Sequence, residues 1–221
     1  MEKVDYKNTD KKLYLPKAEP VIVDVPAMNF IMVDGKGNPN LEDGEYSKAV
    51  ELLYSLSYTI KMGLKKEKKT EGFFDYVVPP LEGLWWLKGD VKPDFINKDN
   101  FYWTSMIRQP EFVNESVFSW ACQEVKKKKP QMDVTKARLE NYEEGLCVQI
   151  MHIGSYDNER KSIDKMDLFI NKMNLQNDIS SKLPNGLIKR HHEIYLSDPR
   201  KVTEEKRKTV IRHPVRQTTM V

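Results

Sequence analysis

One four-residue pattern, Ile-Arg-x-Pro, ends a predicted strand in each half of the chain. It occurs in MIRQP (106–110) and again in VIRHP (210–214). The match is short, but the predicted elements come in the same order in both halves, namely strand, helix, strand, strand. This shared order favours a duplication over chance. Two such α+β halves would pair their sheets and leave a cleft between them, and clefts of this kind are common small-molecule sites.

Hydrophobic periodicity and turn residues place the elements of both halves. The first half is predicted to contain a strand over 20–34 that bends near Pro26, a helix over 44–64, extended segments at 73–78 and 81–87, and a strand over 101–110. A helix over 112–129, with Asn114 as its N-cap, follows the first half. The second half is predicted to contain a hairpin over 136–154, a helix over 157–173, and strands over 186–197 and 208–214.

The composition argues against two broad classes of partner. The 36 basic residues nearly balance the 33 acidic ones, for a net charge of +3, whereas a surface that follows phosphates usually has a strong basic excess. No segment approaches the roughly 18 apolar residues of a membrane-spanning helix, and the N-terminus lacks the apolar run of a signal peptide. Cys122 and Cys147 lie in apolar segments, which is typical of free thiols in a reducing compartment. We therefore expect a cytoplasmic protein with no direct nucleic-acid or membrane partner, and the oligomeric state stays open.

The segment HHEIYLSDPRK (191–201) has two faces if it is a strand, since successive side chains point to opposite sides. One face, with His192 and Ile194, is a candidate core strip, and the other puts the carboxylate of Glu193 beside the phenol of Tyr195. In an aromatic cleft, a carboxylate that has lost its hydration can act as a general base or hold a cation, and a phenol can donate a hydrogen bond to a developing anion. On alternation alone, an exposed pair on a wet face is the more ordinary interpretation.

Aromatic residues concentrated in the first half favour a cleft over an exposed face for Glu193 and Tyr195. Trp85 and Trp86 are neighbours in one predicted strand, as are Tyr102 and Trp103 in another, so the members of each pair point to opposite faces. One member of each pair can fill the core beneath a helix, and the other is then exposed or lines a pocket. These four residues and Trp120 are candidate ligand-binding residues, and a large tryptophan-filled core is the alternative.

Metal and cofactor chemistry have little support in the sequence. His191 and Glu193 share a strand face, but no Cys/His cluster supplies further ligands, and neither thiol has a partner at zinc-site spacing. There is no nucleophile elbow and no Cys-x-x-Cys motif. His152, in MHIG, is more often a core or strand-end histidine than a catalyst, and we include it only as a candidate ligand contact. We expect no metal and no cofactor.

Five blocks together resemble the GyrI-like small-molecule-binding family, which is related to effector domains of multidrug-sensing transcription activators. They are PPLEGLWWL (79–87), FYWTSMIRQPEFV (101–113), VQIMHIGSYD (148–157), HHEIYLSDPRK (191–201) and KTVIRHPV (208–215). The resemblance implies an α+β fold of two tandem β-α-β-β modules with pseudo-twofold symmetry, with antiparallel sheets around a central ligand cleft. It covers one domain, 20–215, with modules at about 20–110 and 136–215, an N-terminal extension at 1–19 and a C-terminal tail at 216–221.

The same resemblance carries expectations about the site. The family's cleft glutamate, which engages cationic and aromatic ligands, matches Glu193. In a branch associated with hydrolysis of cyclopropane-bearing DNA-alkylating compounds, Glu193 and Tyr195 match the catalytic pair. Trp85, Trp86 and Trp103 fall in blocks that wall its cleft.

The expected function is therefore hydrolysis of cyclopropane-bearing aromatic compounds, as a form of xenobiotic resistance. No helix-turn-helix segment precedes the matched blocks, so a stand-alone protein is expected. A non-catalytic binder that sequesters cationic or aromatic drug-like ligands is the first alternative. A topoisomerase-modulating interaction protein is the second, and it would show an exposed apolar surface instead of an aromatic cleft.

Overall fold

The computed structural model describes residues 3–67, 70–87 and 98–218. The strands of these residues are β1 (Val21–Val25), β2 (Met28–Lys36), β3 (Leu81–Leu87), β4 (Phe101–Gln109), β5 (Ala137–Tyr142), β6 (Gly145–Ile153), β7 (Leu175–Asn177), β8 (His191–Tyr195) and β9 (Lys208–Gln217). The helices are α1 (Tyr6–Thr9), α2 (Lys11–Tyr14), α3 (Glu45–Glu67), α4 (Glu115–Lys128) and α5 (Arg160–Lys172). The strands form an antiparallel sheet in the order β1-β6-β9-β8-β3-β4-β2-β5, and β7 pairs with β9.

The predicted α+β fold class is confirmed, and the order of elements is the same in the two modules. The first module runs β2-α3-β3-β4 and the second runs β6-α5-β8-β9, with β7 as an addition. The central pairing of β3 with β8 joins the two modules into one sheet. Asn114 caps α4 as expected, since its side chain accepts a hydrogen bond from the amide of Val117 at 3.0 Å. None of the described helices is both long and apolar enough to cross a membrane.

The predicted hairpin over 136–154 is wrong, because its two strands do not pair with each other. Instead β5 pairs with β2, and β6 pairs with β1 and β9. Tyr142 at the end of β5 lies opposite Met28 of β2, and Gly145 at the start of β6 lies opposite Val25 of β1. The segment β1–β2 and the segment β5–β6 therefore run antiparallel to each other, and both bend at the same place. A strand on each side already occupies the hydrogen-bonding edges of β6, which leaves β5 to join the other module.

Ile107 and Ile211, from the two Ile-Arg-x-Pro patterns, mark equivalent places in the sheet. Ile107 lies opposite Leu81 of β3, and Ile211 lies opposite Glu193 of β8. Glu193 therefore corresponds to Leu81 and not to Gly83. The segments GLWWL and EIYLS do lie in equivalent strands, but their alignment is shifted by two residues.

The helices and the N-terminal segment cover opposite faces of the sheet. On one face, α3 and α4 pack over the first module, and α5 packs over the second through Met166 and Ile170. On the other face, the N-terminal residues Tyr6, Leu13 and Tyr14 are buried against the sheet. The helical face above β3 and β8, between α3 and the start of α5, is left open.

The arginines of the two Ile-Arg-x-Pro patterns hold the N-terminal segment in place. Arg212 donates a hydrogen bond to the carbonyl oxygen of Leu13 at 2.8 Å. Arg108 donates to the carboxylate of Asp10 at 2.6 Å and lies over the ring of Tyr6 at 4.0 Å. The pattern therefore has a structural role on the face away from the open region.

His192 lies between two buried carboxylates on that same face. Its Nε2 is 2.9 Å from Glu82 Oε2, and its Nδ1 is 3.0 Å from Glu144 Oε2. Arg212 also donates to Glu144, at 3.2 Å. All four side chains are almost fully buried. If His192 is protonated, two cationic groups balance two carboxylates, which is the condition under which buried charges are tolerated.

We expect the stability of the protein to fall as the pH rises above neutral, because His192 loses its proton. Burial opposes charging of His192, but Glu144 and Glu82 outweigh it and raise its pKa from 6.5 to about 9. A group whose pKa is raised by folding stabilises the fold below its unfolded pKa, and this contribution is lost as the pH rises through the folded pKa. The free energy of unfolding should fall by on the order of 3 kcal/mol across this window, as measured by denaturant unfolding in a series of buffers.

Two variants test the assignment of this slope to His192. His192→Gln should abolish it. Glu144→Gln should shift the loss of stability to lower pH, because it removes one of the two anions that raise the histidine's pKa. A wild-type unfolding profile that stays flat between pH 6.5 and 9 would contradict a protonated His192.

Candidate active site

The open region between α3 and α5 is a cavity of about 1460 Å³, which is larger than most small-molecule sites. Strands β3 and β8 form its floor. One wall carries Tyr46 and Tyr54 of α3, and the turn before α5 adds Tyr156 on another side. The segment 196–201, which follows β8, forms part of its mouth. We call this cavity the cleft.

Glu193 lies on the floor of the cleft and is 8% exposed. Its Oε1 is 2.9 Å from Nε2 of His191, whose Nδ1 is 2.7 Å from Nε2 of His213. Burial and the neighbouring His191 lower the pKa of His213 well below its usual range, so His213 is neutral. A carboxylate can only accept, so where His191 donates from Nε2 to Glu193, its Nδ1 is the acceptor for a hydrogen bond from Nε2 of His213. A donor in this position favours the carboxylate form of Glu193, which is the form that a general base requires.

Tyr195 is held beside Glu193 by a hydrogen bond from the neighbouring strand β3. Its hydroxyl oxygen accepts from Nε1 of Trp85 at 2.8 Å, which leaves the phenolic proton free to point elsewhere. Burial and the charge of Glu193 raise the pKa of Tyr195 well above its usual range, so it stays a neutral donor. Gly83 makes room for this contact, because a Cβ there would lie 2.6 Å from the Trp85 nitrogen and 3.1 Å from the Tyr195 oxygen.

Glu159, directly before α5, is a cleft residue that the sequence analysis missed. It is 1% exposed, lines the cleft, and makes no capping hydrogen bond with the helix. Burial and the nearby Glu193 raise the pKa of Glu159 well above its usual range. In the sequence, an acidic residue at the start of a helix suggests a partner for the helix dipole. The sequence signal for Glu159 is its position just after VQIMHIGSYD (148–157), one of the five blocks that resemble the GyrI-like family.

Three of these side chains could also hold a metal ion. Glu159, His191 and Glu193 each offer one ligand atom, and these atoms all lie within 4.8 Å of one another. Two carboxylates and an imidazole suit a divalent ion such as Zn²⁺ or Mn²⁺, and His213 would orient the ligating histidine. A proton on Glu159 would balance the same charge without a metal. The expectation of no metal and no cofactor stays a prediction.

The whole arrangement matches one known family. The family model of the GyrI-like small molecule binding domain matches residues 18–216, which include both modules and the cleft. The chain belongs to this family. The family predicted from the five sequence blocks is thus confirmed, and small-molecule binding is the activity that it implies for a GyrI-like cleft.

Among solved structures, two proteins from Listeria innocua are similar to this GyrI-like chain in both sequence and fold. An uncharacterized conserved protein is 48% identical with a TM-score of 0.88, and the match covers 97% of this chain and 100% of that one. A protein described as a hydrolase is 46% identical with a TM-score of 0.84 and the same coverage. The EcmrR C-terminal domain matches with a TM-score of 0.50 at 12% identity, over 90% of this chain and 98% of that one, which shows the fold alone. No curated protein matches the chain.

The GyrI-like cleft brings together only some of the residues predicted to bind ligand. Trp85 lines it beside the predicted pair Glu193 and Tyr195. Trp103 is fully buried below the cleft, where its ring meets the edge of Tyr46 with centroids 5.1 Å apart. Trp103 therefore supports the wall from behind.

Trp86 and Tyr102 lie on the face of the sheet opposite to Trp85 and Trp103, because successive side chains of a strand point to opposite faces. Their rings stack with centroids 6.0 Å apart, and the guanidinium of Arg190 lies 4.7 Å from the Trp86 ring. They line a separate cavity of about 470 Å³. The structure does not bring them together with Glu193.

Trp120 and His152 lie outside the cleft lining. Trp120 of α4 packs on α3, where a Cβ at Gly63 would lie 2.2 Å from its ring. The two ring nitrogens of His152 are each 3.0 Å from a partner, Ser162 Oγ and the carbonyl oxygen of Ser155. His152 thus holds the turn that leads to Glu159.

Replacing Trp85 with Ala should weaken the binding of a flat aromatic ligand by about 1–3 kcal/mol, because both stacking and burial are lost. Trp86→Ala is the matched control, since the same residue type is removed from the other face of the same strand. Ligand titration of the two variants measures the difference. Equal losses in both, or none in Trp85→Ala, would contradict a role for Trp85 in the cleft.

Proposed function

We propose that this GyrI-like protein hydrolyses cyclopropane-bearing aromatic electrophiles by water attack assisted by Glu193. One observation carries the proposal: a nearly buried carboxylate, held as an acceptor by His191, faces a large cleft walled by aromatic rings. Two Listeria innocua proteins that are 46% and 47% identical over 97% of this chain are described as hydrolases, which supports hydrolytic chemistry in the same fold. We place the reaction in the cytoplasm, on a free small molecule and not on nucleic acid or a membrane.

The reaction needs a base, because water is a poor nucleophile. Glu193 takes a proton from water as the water oxygen forms a bond to a ring carbon. The strained carbon–carbon bond breaks, and its electron pair moves to the oxygen of a conjugated carbonyl. That oxygen then takes up a proton, so the product is the substrate plus one water.

Tyr195 is suited to assist without acting as a base. It is a neutral phenol whose oxygen already accepts from Trp85, so its own proton is available to Glu193 or to the developing oxyanion. A hydrogen-bond donor aimed at the position where negative charge develops lowers the barrier, because it stabilises that charge without having to reorganise.

The cleft also favours a class of ligand. Its acidic floor and the rings of Trp85, Tyr46 and Tyr156 fit flat aromatic molecules that are neutral or cationic. Its volume leaves room for a compound of several fused or linked rings.

Incubation with a panel of activated aryl cyclopropanes tests the proposal. The expected product has the mass of the substrate plus one water, and the protein keeps its own mass through many turnovers. A stable covalent adduct on the protein would show trapping instead of hydrolysis. Tight binding of the panel compounds with no product would favour the alternative, a binder that sequesters aromatic ligands.

A further inference from the structure

The cavity of about 470 Å³ lies on the face of the sheet opposite to the cleft, and we call it the second cavity. Residues of β2, β3, β4 and β5 line it, and the segment 186–190 lines one side. Met32 and Leu84 are buried in its lining, whereas Trp86 and Tyr102 are partly exposed. Its volume is in the usual range of small-molecule sites. It shares no lining residue with the cleft, so the reaction proposed above does not account for it.

Four side chains form a row across the sheet at the second cavity, with two aromatic rings between two cations. Trp86 of β3 is paired directly with Tyr102 of β4, and Tyr102 is paired with Lys36 of β2. At the other end of the row, the guanidinium of Arg190 lies 4.7 Å from the centre of the Trp86 ring. Directly paired residues of neighbouring strands project from the same face of a sheet. The two rings and the ammonium group of Lys36 therefore belong to one continuous surface.

The charges around this row leave a positive surplus. The charged side chains of the lining are three basic and two acidic ones, namely Lys36, Arg138, Arg190, Asp34 and Glu45. Each acid already faces a cation: Arg138 donates to both carboxylate oxygens of Asp34, at 2.8 and 3.1 Å, and Glu45 lies 3.9 Å from Lys136. Lys36 is exposed and forms no ion pair with any residue that the structure describes. Its charge is therefore available to a ligand.

We propose that the second cavity is a binding site for flat aromatic molecules that carry an anionic group such as a carboxylate. The aromatic part packs on the rings of Trp86 and Tyr102, which buries apolar surface that is now partly exposed. The anionic group lies at the end of the row that carries Lys36. The positive surplus disfavours the cationic ligands that suit the acidic floor of the cleft. The two faces of the sheet thus have opposite charge preferences.

Strand β3 carries a tryptophan to each of the two sites. Trp85 lines the cleft, and Trp86, the next residue, lines the second cavity. Because successive side chains of a strand point to opposite faces, one small ligand cannot contact both rings. The two indole groups therefore report separately on the two sites.

Nitrogen-15 NMR of the tryptophan indole groups tests the proposal without any turnover. The chain has four tryptophans, and replacing each with Phe in turn assigns the four indole signals. Naphthoate should shift the signal of Trp86 until the site is saturated and should leave that of Trp85 in place. Naphthylmethylammonium, a cation with the same rings, should shift the Trp86 signal much less at the same concentration. A naphthoate effect on Trp85 instead of Trp86, no effect on either, or equal effects of the two ligands on Trp86 would overturn the proposal.

Calorimetric titration with naphthoate gives the second readout. Trp86→Ala should weaken binding by roughly 10-fold or more, because the larger ring of the row is lost. Lys36→Gln should weaken it by about 2–5-fold, and added salt should weaken wild-type binding in the same direction. Lys161→Gln, which removes an exposed lysine of α5, is the matched control and should bind like the wild type.

The exposed position of Lys36 keeps this test independent of folding, since Lys36→Gln removes no buried contact. Wild-type affinity for naphthoate in both Lys36→Gln and Trp86→Ala would overturn the proposal. Naphthoate binding needs no hydrolysis, so panel compounds that bind without being hydrolysed would overturn only the function proposed for the cleft.

Discussion

Glu193→Gln should lower kcat by roughly 10²–10⁴-fold while the affinity for ligand stays close to that of the wild type. Gln has nearly the same shape, so the walls of the cleft and the contact with His191 are preserved. It cannot accept a proton from water, so only the base is removed. Steady-state kinetics on a hydrolysed panel compound, together with ligand titration, measure the two quantities separately.

Tyr195→Phe is the matched control for that variant. It removes a donor next to the same floor but leaves the base, so its rate should fall less than that of Glu193→Gln. Full turnover by Glu193→Gln would remove Glu193 from the chemistry and return it to the role of a ligand clamp. A loss of binding in Glu193→Gln equal to its loss in kcat/KM would point to the same role.

The fold was predictable because its signal is repeated along the chain. The order of elements in the two halves and the paired Ile-Arg-x-Pro patterns led to the two modules. The pairing of strands was harder, since register depends on neighbours that are distant in sequence. The hairpin error shows this: Glu143, Glu144 and Gly145 form a turn-like sequence, yet the neighbours of β5 and β6 make it a bend between two modules.

The candidate site was predictable only where it lies on one strand. Glu193 and Tyr195 share a face of β8, so alternation paired them, and Trp85 was one of an adjacent pair. His213 reaches the site only because β9 lies beside β8, and Glu159 reaches it because a turn brings the start of α5 over the floor. Neither contact is local in sequence, so neither follows from alternation along one strand.

Alternation also could not say which aromatic residues face a cavity and which fill the core. Trp85 and Trp103 lie opposite each other on neighbouring strands and on the same face of the sheet. Tyr46 of α3 contacts both rings, but Trp85 lines the cleft whereas Trp103 is fully buried, because α3 packs against β4 more than against β3. The position of α3 decides this, and it follows from packing across the whole module.

Trp103→Ala should therefore lower the free energy of unfolding by about 3–5 kcal/mol, as large aromatic-to-alanine changes in cores do. The ring is fully buried and lies against Gly35, where a Cβ would come within 2.2 Å of it. Removing it leaves a cavity between α3 and the sheet that the backbone at Gly35 cannot fill. Denaturant unfolding of Trp103→Ala beside Trp86→Ala measures the effect, and removal of the partly exposed Trp86 ring should cost much less.

The binding of ligand separates this structural role from the role expected of Trp103 in the sequence analysis. Trp103 does not itself line the cleft, so ligand affinity should fall less in Trp103→Ala than in Trp85→Ala. Trp103→Phe should recover part of the stability, because it refills most of the space and removes an indole nitrogen that has no hydrogen-bond partner. A Trp103→Ala protein that unfolds like the wild type but no longer binds ligand would make Trp103 a direct ligand contact after all.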